Sequence, residues 1–579
     1  VFYNPYGVLA IDGGIYVNDV WVPEKSSDYH LPRNRGRAYE RTSDIEYYDI
    51  GGSGFKGAAG IRVSASNFSR PRLVVEDPKG SPFPPNFVDK PSFNIWFRND
   101  YGQASVEFPF LGTEYPAKSF EQFRVRAGKN DARNPFIRDE LVRRLYHDMG
   151  QESALGVINS VYINGAFKGF YNLTERLREP FMQAHHDSDK PWDVRQVRSV
   201  EDGDELAWNE MKTRLARDLN LESNWKAALE YIDPVAMADY YLLNIYAATW
   251  DWPQNNWVAA RERSADGRFR FYVWDAEGGF GLYGEKPADY NILQSNLLTQ
   301  SDENSRVFQN LLKSAEWRLL FADRIHKHMF NGGAIDDRNL EKSNIRSRKD
   351  SLVSSFQPLL RYVHGLAVEE EWYHRWVDSK TGRRTHLLGP NSQHFREQGL
   401  WPTTPPPVFN QLGGEVDSTF ILSMSKSETG TLWYTVDGRD PRDFGGSIGR
   451  TAVAYTGDIM LEEPIVEVKA RMRRSDGEWS PLTEAVFKVG LVLPTSSTVG
   501  ITELMYRPAA PTESELERGY TDAEDFEFVR LQNIGTMPID LTDLRLENGI
   551  EFNFTDSSIT VLLRGASVLL VKDVNSFQV

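Results

Sequence analysis

Alternation of apolar and polar positions at period two dominates the first part of the chain. GGIYVN (13–18) and DIEYYD (44–49) read as half-buried strands. Further strands are expected at GIRVSAS, at KPSFNIWFRNDYG from Lys90, and at FEQFRVRAGKND (120–131). Asn134-Pro135 then opens a helix, FIRDELVRRLYHDMG. Ile137, Leu141, Leu145 and Met149 fall on one of its faces, and Gly150 stops it. VINSVYINGAFKGFYNLTE (157–175) turns at Asn164-Gly165, a strong hairpin signal. From about 177 to 249 the period becomes mainly helical, after a loop holding His185-His186, and Asp233-Pro234 caps the helix VAMADYYLLNIYAAT. Helical patterns return at 305–331 and 336–365. There His326 and His328, two apart and so on different faces, are expected at the surface.

WPTTPPPVF (401–409) reads as a linker. Beyond it period two resumes in FILSMS, TLWYTVDG, IVEVKARMR and EAVFKVG. After a second boundary near LPTSSTVG (493–500) it continues in ITELMYRP, FEFVRLQN, IDLTDLRLEN, IEFNFT and VLLVKDV. The pattern predicts an α+β region followed by two all-β domains.

Composition narrows the function classes. A chain of 579 residues is too long for one core. Hydrophobic content of 40% with 12% aromatics marks a folded protein, and a net charge of -16 argues against a nucleic-acid binder and a polybasic membrane anchor. No apolar run is long enough for a membrane span. With no cysteine there is no disulfide framework or thiolate zinc site. The His185-His186 pair lacks a third ligand, and of Asp437, Asp440 and Asp443 the first two sit in DGRDP and the third two residues beyond, a turn sequence rather than a calcium site. Val1-Phe2-Tyr3 at the start, and an end inside a strand-like pattern, lead us to expect a segment of something longer.

The stretch Trp250 to Gly281 carries the candidate chemistry. Asp251 is followed five residues on by Asn256, and a strand pair, WVAARER and RFRFYVW, then leads to Asp275. Phosphoryl transfer from a nucleotide uses a carboxylate near the acceptor hydroxyl and an Asn and an Asp on Mg²⁺, in this order and spacing. Upstream, GGSGFKG holds Gly52, Gly54 and Gly57 between two strands. Such a loop can cover phosphates, or it can be an ordinary hairpin turn. Lys90 opens the next strand, where a nucleotide site needs a Lys on the phosphates; the other reading is a solvated strand end. Glu140, on the helix that follows, can pair with Lys90 or, exposed, with Arg144.

Residues from about 10 to 370 resemble the CotH kinase family, named for a spore-coat protein. The matching pieces are GIYVN, GIRVSASNFSR, KPSFNIWFRNDYG, FRVRAGKND…FIRDEL, YINGAFKGFYNLTE and DWPQNNW…FRFYVWDAE. The resemblance implies an atypical, bilobal protein-kinase-like domain over 1–400, with a small lobe at about 40–176 and a helical lobe at 177–400. It implies ATP and Mg²⁺ as cofactors and Ser or Thr of an exported protein as acceptor. Asp251 would be the catalytic Asp. Asn256, or Asn255 if the loop is shifted by one, and Asp275 would bind metal. Lys90 would hold the phosphates, with Glu140 as its partner. Ser64-Ala65 and Glu277 depart from the family pattern, where an Arg-Gly pair and a second Asp are common. Residues 401–492 resemble the chitobiase/β-hexosaminidase C-terminal β-sandwich in LWYTVDGRDPR, the Tyr455-Thr456-Gly457 turn, VKARMR and GEWSPLTEAVF. Residues 493–579 resemble a bacterial lamin-tail domain in ITELMYRP, DFEFVRLQNIG, IDLTDLRLENGIEFNF and VLLVKD. Both imply immunoglobulin-like modules of exported proteins that bind a partner, a glycan or a cell-surface polymer, and an extracellular or cell-surface location. The alternative is a non-catalytic scaffold with a kinase-like fold and adhesive β-domains.

Overall fold

The computed structural model describes residues 37, 40–49, 51–64, 92–112, 115–128, 137–163, 165–281, 286–338, 343–364, 370–389 and 393–577. GIYVN and Lys90 lie outside them. The chain divides into two compact units, Val1–Thr403 and Thr404–Val579.

The first unit begins with an antiparallel sheet. Its strands are β1 (Arg41–Tyr48), β2 (Gly54–Ser64), β3 (Ser92–Trp96), β4 (Gln122–Arg126), β5 (Gly156–Ile163) and β6 (Ala166–Glu175), in the spatial order β1-β2-β3-β4-β6-β5. One face is apolar: Ile61, Phe93, Ile95, Phe123 and Val125 are buried in one cluster with Phe97, Phe110 and Tyr171. The other face carries Arg62, Asn94, Trp96, Arg124 and Arg126, as a two-residue period demands. Between β4 and β5 runs α1 (Arg138–Asp148), whose Leu141 and Leu145 are fully buried with Ile137, as the stripe predicts.

Helix α2 (Glu179–His186) comes next, then a hairpin of β7 (Trp192–Gln196) and β8 (Ser199–Asp202) inside the stretch expected to be mainly helical. Trp192 and Val194 alternate at period two and are buried, a signal too short to stand out beside the helices around it, and the strand is completed by pairing with a distant strand. β7 joins β9 (Trp257–Glu262), which pairs with β10 (Arg270–Val273), giving the order β8-β7-β9-β10. Between hairpin and sheet partner lie α3 (Leu206–Leu215), α4 (Glu222–Leu229) and α5 (Pro234–Ala247). Asp233 caps α5 by accepting from the Ala236 amide at 2.9 Å. Every residue of α5 from Ala236 to Ala247 is buried, so the helix is the axis of the largest core.

α6 (Glu303–Leu312) and α7 (Ala315–Met329) are separate helices because Ser314 caps the second, accepting from the Trp317 amide. His326 and His328 are buried, not exposed as expected. His328 Nε2 lies 3.3 Å from Asp239 Oδ1 on α5, beside Arg324, which holds both Asp239 oxygens at 2.7 Å. His185 and His186 end α2 rather than occupying a loop, and each meets a carboxylate, Glu175 and Glu152. α8 (Asn344–His364), α9 (Glu371–Val377) and α10 (Arg383–Leu388) follow.

The second unit is all β among its sheets. Gly414–Val416, Thr483–Val489, Ile465–Arg473, Thr431–Thr435 and Val453–Ala454 form a five-stranded sheet over one core. Val499–Met505, Phe528–Asn533 and Ser567–Val571 form a three-stranded sheet over another. Asp440 is paired with Arg471 at 2.6 Å and caps the Arg442 amide, as a turn residue would.

Arg383 is the buried cation that fixes the end of α5. Its guanidinium donates to the carbonyls of Ile245 and Tyr246 and to those of Ala288 and Tyr290. Burial pushes its pKa down to about 9, still above neutrality. Arg383→Ala leaves four carbonyls without this donor, and we expect a loss on the order of 3 kcal/mol in the unfolding of the first unit by denaturant. A change below about 0.5 kcal/mol, the size of an ordinary surface substitution, would refute this role.

Candidate active site

The loop after α5 is held from below and at both ends. Ala248 reverses the helix with φ +45°, and Lys286, itself buried, donates to the carbonyls of Thr249 at 2.9 Å and Trp252 at 3.3 Å. Trp252 is fully buried and donates to the Tyr240 hydroxyl at 2.8 Å. The Trp250 amide donates to Gly278 O at 3.2 Å. A Cβ at position 278 would come within 2.4 Å of Trp250 Cβ, so only Gly allows this approach.

Within this frame Asp251 is exposed. Its Oδ1 accepts from Gln254 and Asn255, each at 3.1 Å, and Oδ2 makes no hydrogen bond among the described residues. Asn256 turns the other way and donates to the main-chain oxygen of Asp275 at 3.2 Å. Of the two Asn considered, Asn256 therefore reaches Asp275 while Asn255 serves Asp251. Asp251, Asn256 and Asp275 have φ of 59°, 58° and 55°, the left-handed region that costs most residues energy and that Asn and Asp tolerate best. Such positions cluster at sites whose surroundings over-determine the backbone.

Arg126, the last residue of β4, ties this segment to the small sheet and to α1. Nη1 donates to Asp139 Oδ2 at 2.6 Å. Nη2 donates to Asp275 Oδ1 at 2.6 Å and to Glu277 Oε2 at 3.1 Å. Asp139 Oδ1 accepts from the Ala276 amide at 2.8 Å, and Arg143 lies 2.9 Å from Oδ2. Burial raises the Asp139 pKa, but Arg126, Arg143 and the Ala276 amide outweigh it and hold the carboxyl below its ordinary value.

Glu140 pairs with Arg144, one of the two partners expected of it, but in the interior rather than at an exposed surface; the other, Lys90, lies outside the described residues. Glu140 is buried, and its carboxylate meets Arg143 at 2.7 Å, Arg144 at 2.9 Å, the Gly156 amide at 3.0 Å and Asn172 at 3.0 Å. The acid of α1 that faces the Asp275 segment is its neighbour Asp139. Neighbours on a helix point about 100° apart, so only one can face the cleft, and the sequence does not say which. Lys90 lies outside the described residues; the described cation on Asp275 is Arg126. Sequence reasoning missed Arg126, Asp139 and Lys286. The only available signal was that Arg124 and Arg126 alternate on one strand face.

The glycine loop is a hairpin turn at the wrong end of the sheet. Gly54 pairs with Tyr48, whereas Ser64 pairs with Ser92, and Phe93 pairs with Val125 next to Arg126. Gly54 to Ser64 is a path of about 33 Å at 3.3 Å per residue. Gly52 takes φ +83° to close the turn. The loop therefore does not cover phosphates at Asp275. Ser64, at the near end, accepts from Arg124 at 3.2 Å.

The donor set fits a hard divalent cation. Asp275 Oδ2 and Asn256 Oδ1 make no hydrogen bond among the described residues, and the Asp275 side chain is 39% exposed. Mg²⁺ is commonly held by one or two carboxylates plus substrate phosphates and water. Among the described residues no group of three His, Cys, Asp or Glu could hold a metal without such help.

Residues 85–363 match the family model described as CotH kinase protein, a span that includes every site residue above. The segment is a CotH kinase-like domain. The crystal structure of a Helicobacter pylori proinflammatory kinase, CtkA, is similar to 44% of this chain and 90% of its own, at 10% identity and a TM-score of 0.18. No curated protein matches the chain.

The depressed Asp139 pKa gives a pH prediction. Its stabilising contribution is fully present above the unfolded value near 3.8 and is lost as pH falls through the lower folded value. Asp139→Asn should lower stability at neutral pH and flatten the acid limb of the stability curve below about pH 4. Parallel curves for the two proteins between pH 2 and 7 would count against this arrangement.

Proposed function

We propose that the first unit is an atypical kinase that transfers the γ-phosphoryl group of ATP to Ser or Thr of exported proteins, outside the cell or at its surface. The observation that carries this reading is the Asn256–Asp275 contact beneath Arg126, within a segment that matches a kinase family. Asp251 Oδ2 accepts the proton of the acceptor hydroxyl, while Gln254 and Asn255 hold Oδ1 and so fix the carboxylate. The acceptor oxygen forms its bond to the γ-phosphorus as the bond to the β–γ bridging oxygen breaks, and the proton passes from Asp251 to solvent. Asp275 and Asn256 would hold Mg²⁺, which when bound supplies screening of the phosphate charge. Arg126 and Asp139 keep the Asp275 segment in register with the sheet. The second unit, in this reading, provides chitobiase C-terminal-like and lamin-tail-like modules that bind a partner, a glycan or a surface polymer.

One observation favours a second reading, a non-catalytic scaffold. Arg126 is itself a cation seated on Asp275 and Glu277, where a metal would compete with it.

The two readings separate on turnover. We expect Mg²⁺-dependent ATP consumption that Asp275→Asn abolishes and that Asp251→Asn lowers by about 10²–10⁴-fold, the usual worth of a general base. Equal consumption in wild type and both variants, or none in any of them with no ATP binding by calorimetry, supports the scaffold.

A further inference from the structure

Two arginines at the polar face of the small sheet, Arg124 and Arg176, form no ion pair with a carboxylate among the described residues. Arg126 and Arg124 are two residues apart on β4, so both lie on this face, about 7 Å from each other along the strand. Gln122 continues the row. Arg176, just past the end of β6, donates to Gln122 Oε1 at 2.6 Å. Two indoles flank the row. Arg124 lies 4.4 Å from the Trp274 ring, and Arg62 and Arg176 lie 3.7 and 5.1 Å from the Trp96 ring.

The neighbouring arginines have anionic partners. Arg62 and Arg98 share Glu40, Arg178 meets Glu201 and Asp202, and Arg126 holds Asp139, Asp275 and Glu277. Among the described residues Arg124 and Arg176 form no such ion pair, although Asp275 and Asp139 act on Arg124 through space. Among the described residues Arg124 donates to Ser64 Oγ at 3.2 Å and Asn94 Oδ1 at 3.3 Å, and Arg176 to Gln122. Burial first, and then the neighbouring arginines, push the two pKa values down to about 10 and about 9. Both groups stay charged at neutral pH. A half-buried guanidinium with neutral partners, set among like charges, is a cost that an incoming anion removes. Arginine is also the side chain best shaped for phosphate oxygens.

We propose that Arg124 and Arg176, flanked by Trp274 and Trp96, form a strip that binds a chain of phosphate groups leading away from Asp275. Its source is either the tail of a nucleotide or inorganic polyphosphate. In the nucleotide case the proposal rests on the kinase reading, and the strip replaces the glycine loop, whose turn lies at the far end of the sheet.

The test is calorimetric titration of the whole chain with inorganic tripolyphosphate, without metal, and separately with ATP and Mg²⁺. We expect Arg124→Gln and Arg176→Gln each to weaken tripolyphosphate binding about tenfold or more, with Lys56→Gln, an exposed residue of β2 outside the site, unchanged. Arg124→Lys and Arg176→Lys, which keep the charge if the Gln variants fold poorly, should bind more weakly than wild type but more tightly than Gln. Wild-type protein that does not bind tripolyphosphate, or Gln and Lys variants that bind it like wild type, overturns the strip. Tripolyphosphate binding that needs both arginines, with no ATP binding or turnover, retains the strip with polyphosphate as its ligand and removes the kinase reading. ATP turnover with tripolyphosphate affinity unaltered in the variants does the reverse.

Discussion

One guanidinium, Arg126, joins three parts of the first unit that are far apart in sequence. It reaches from the end of β4 to Asp139 on α1 and to Asp275 and Glu277 after β10. Its planar fork can satisfy two directions at once, which a lysine could not do with the same rigidity. The ion is nearly buried, at 9% side-chain exposure, so the pairs it makes are weakly screened and its loss would leave the buried Asp139 short of a partner. Everything else in the site is arranged around that point. Asp139 passes the connection to the Ala276 amide, Asn256 takes the Asp275 carbonyl, and Lys286 and Gly278 fix the loop that bears Asp251.

Much of the secondary structure was legible because its signals are local. The Ile137–Leu141–Leu145 stripe, the hairpin at Asn164-Gly165 and the Asp233-Pro234 cap need only neighbours within a few residues. The features that were not legible depend on distant partners. The β7–β8 hairpin has only the brief alternation of Trp192 and Val194 as a local signal, and its place in a sheet depends on the distant β9. His328 is buried against Arg324 and against Asp239, some ninety positions earlier. The order Asp251, Asn256, Asp275 could be read from spacing, but the choice between Asp139 and Glu140 could not, since both stand on the same turn of α1 and only tertiary packing decides between them.

The glycine motif shows a different limit. Gly52, Gly54 and Gly57 have a spacing used for phosphate loops, and local sequence cannot say which end of a sheet a hairpin will occupy. Register can, since pairing fixes position along a strand to one residue. The same register gathers Arg62, Arg124 and Arg126 on one face from strands β2 and β4, a charge pattern invisible to net composition, which is acidic.

The backbone at Asp251, Asn256 and Asp275 also limits what the loop can become. All three positions need a residue that accepts the left-handed region, which among side-chain-bearing residues favours Asn and Asp and otherwise leaves Gly. The alphabet open to drift at these positions is therefore short before any chemistry is considered. Glycine would relax the chain and lose the side-chain oxygens, while most other residues would keep a side chain and strain the turn. The side chains that carry these oxygens are the same ones that let the loop fold, so selection for the fold alone preserves them whatever chemistry the loop performs.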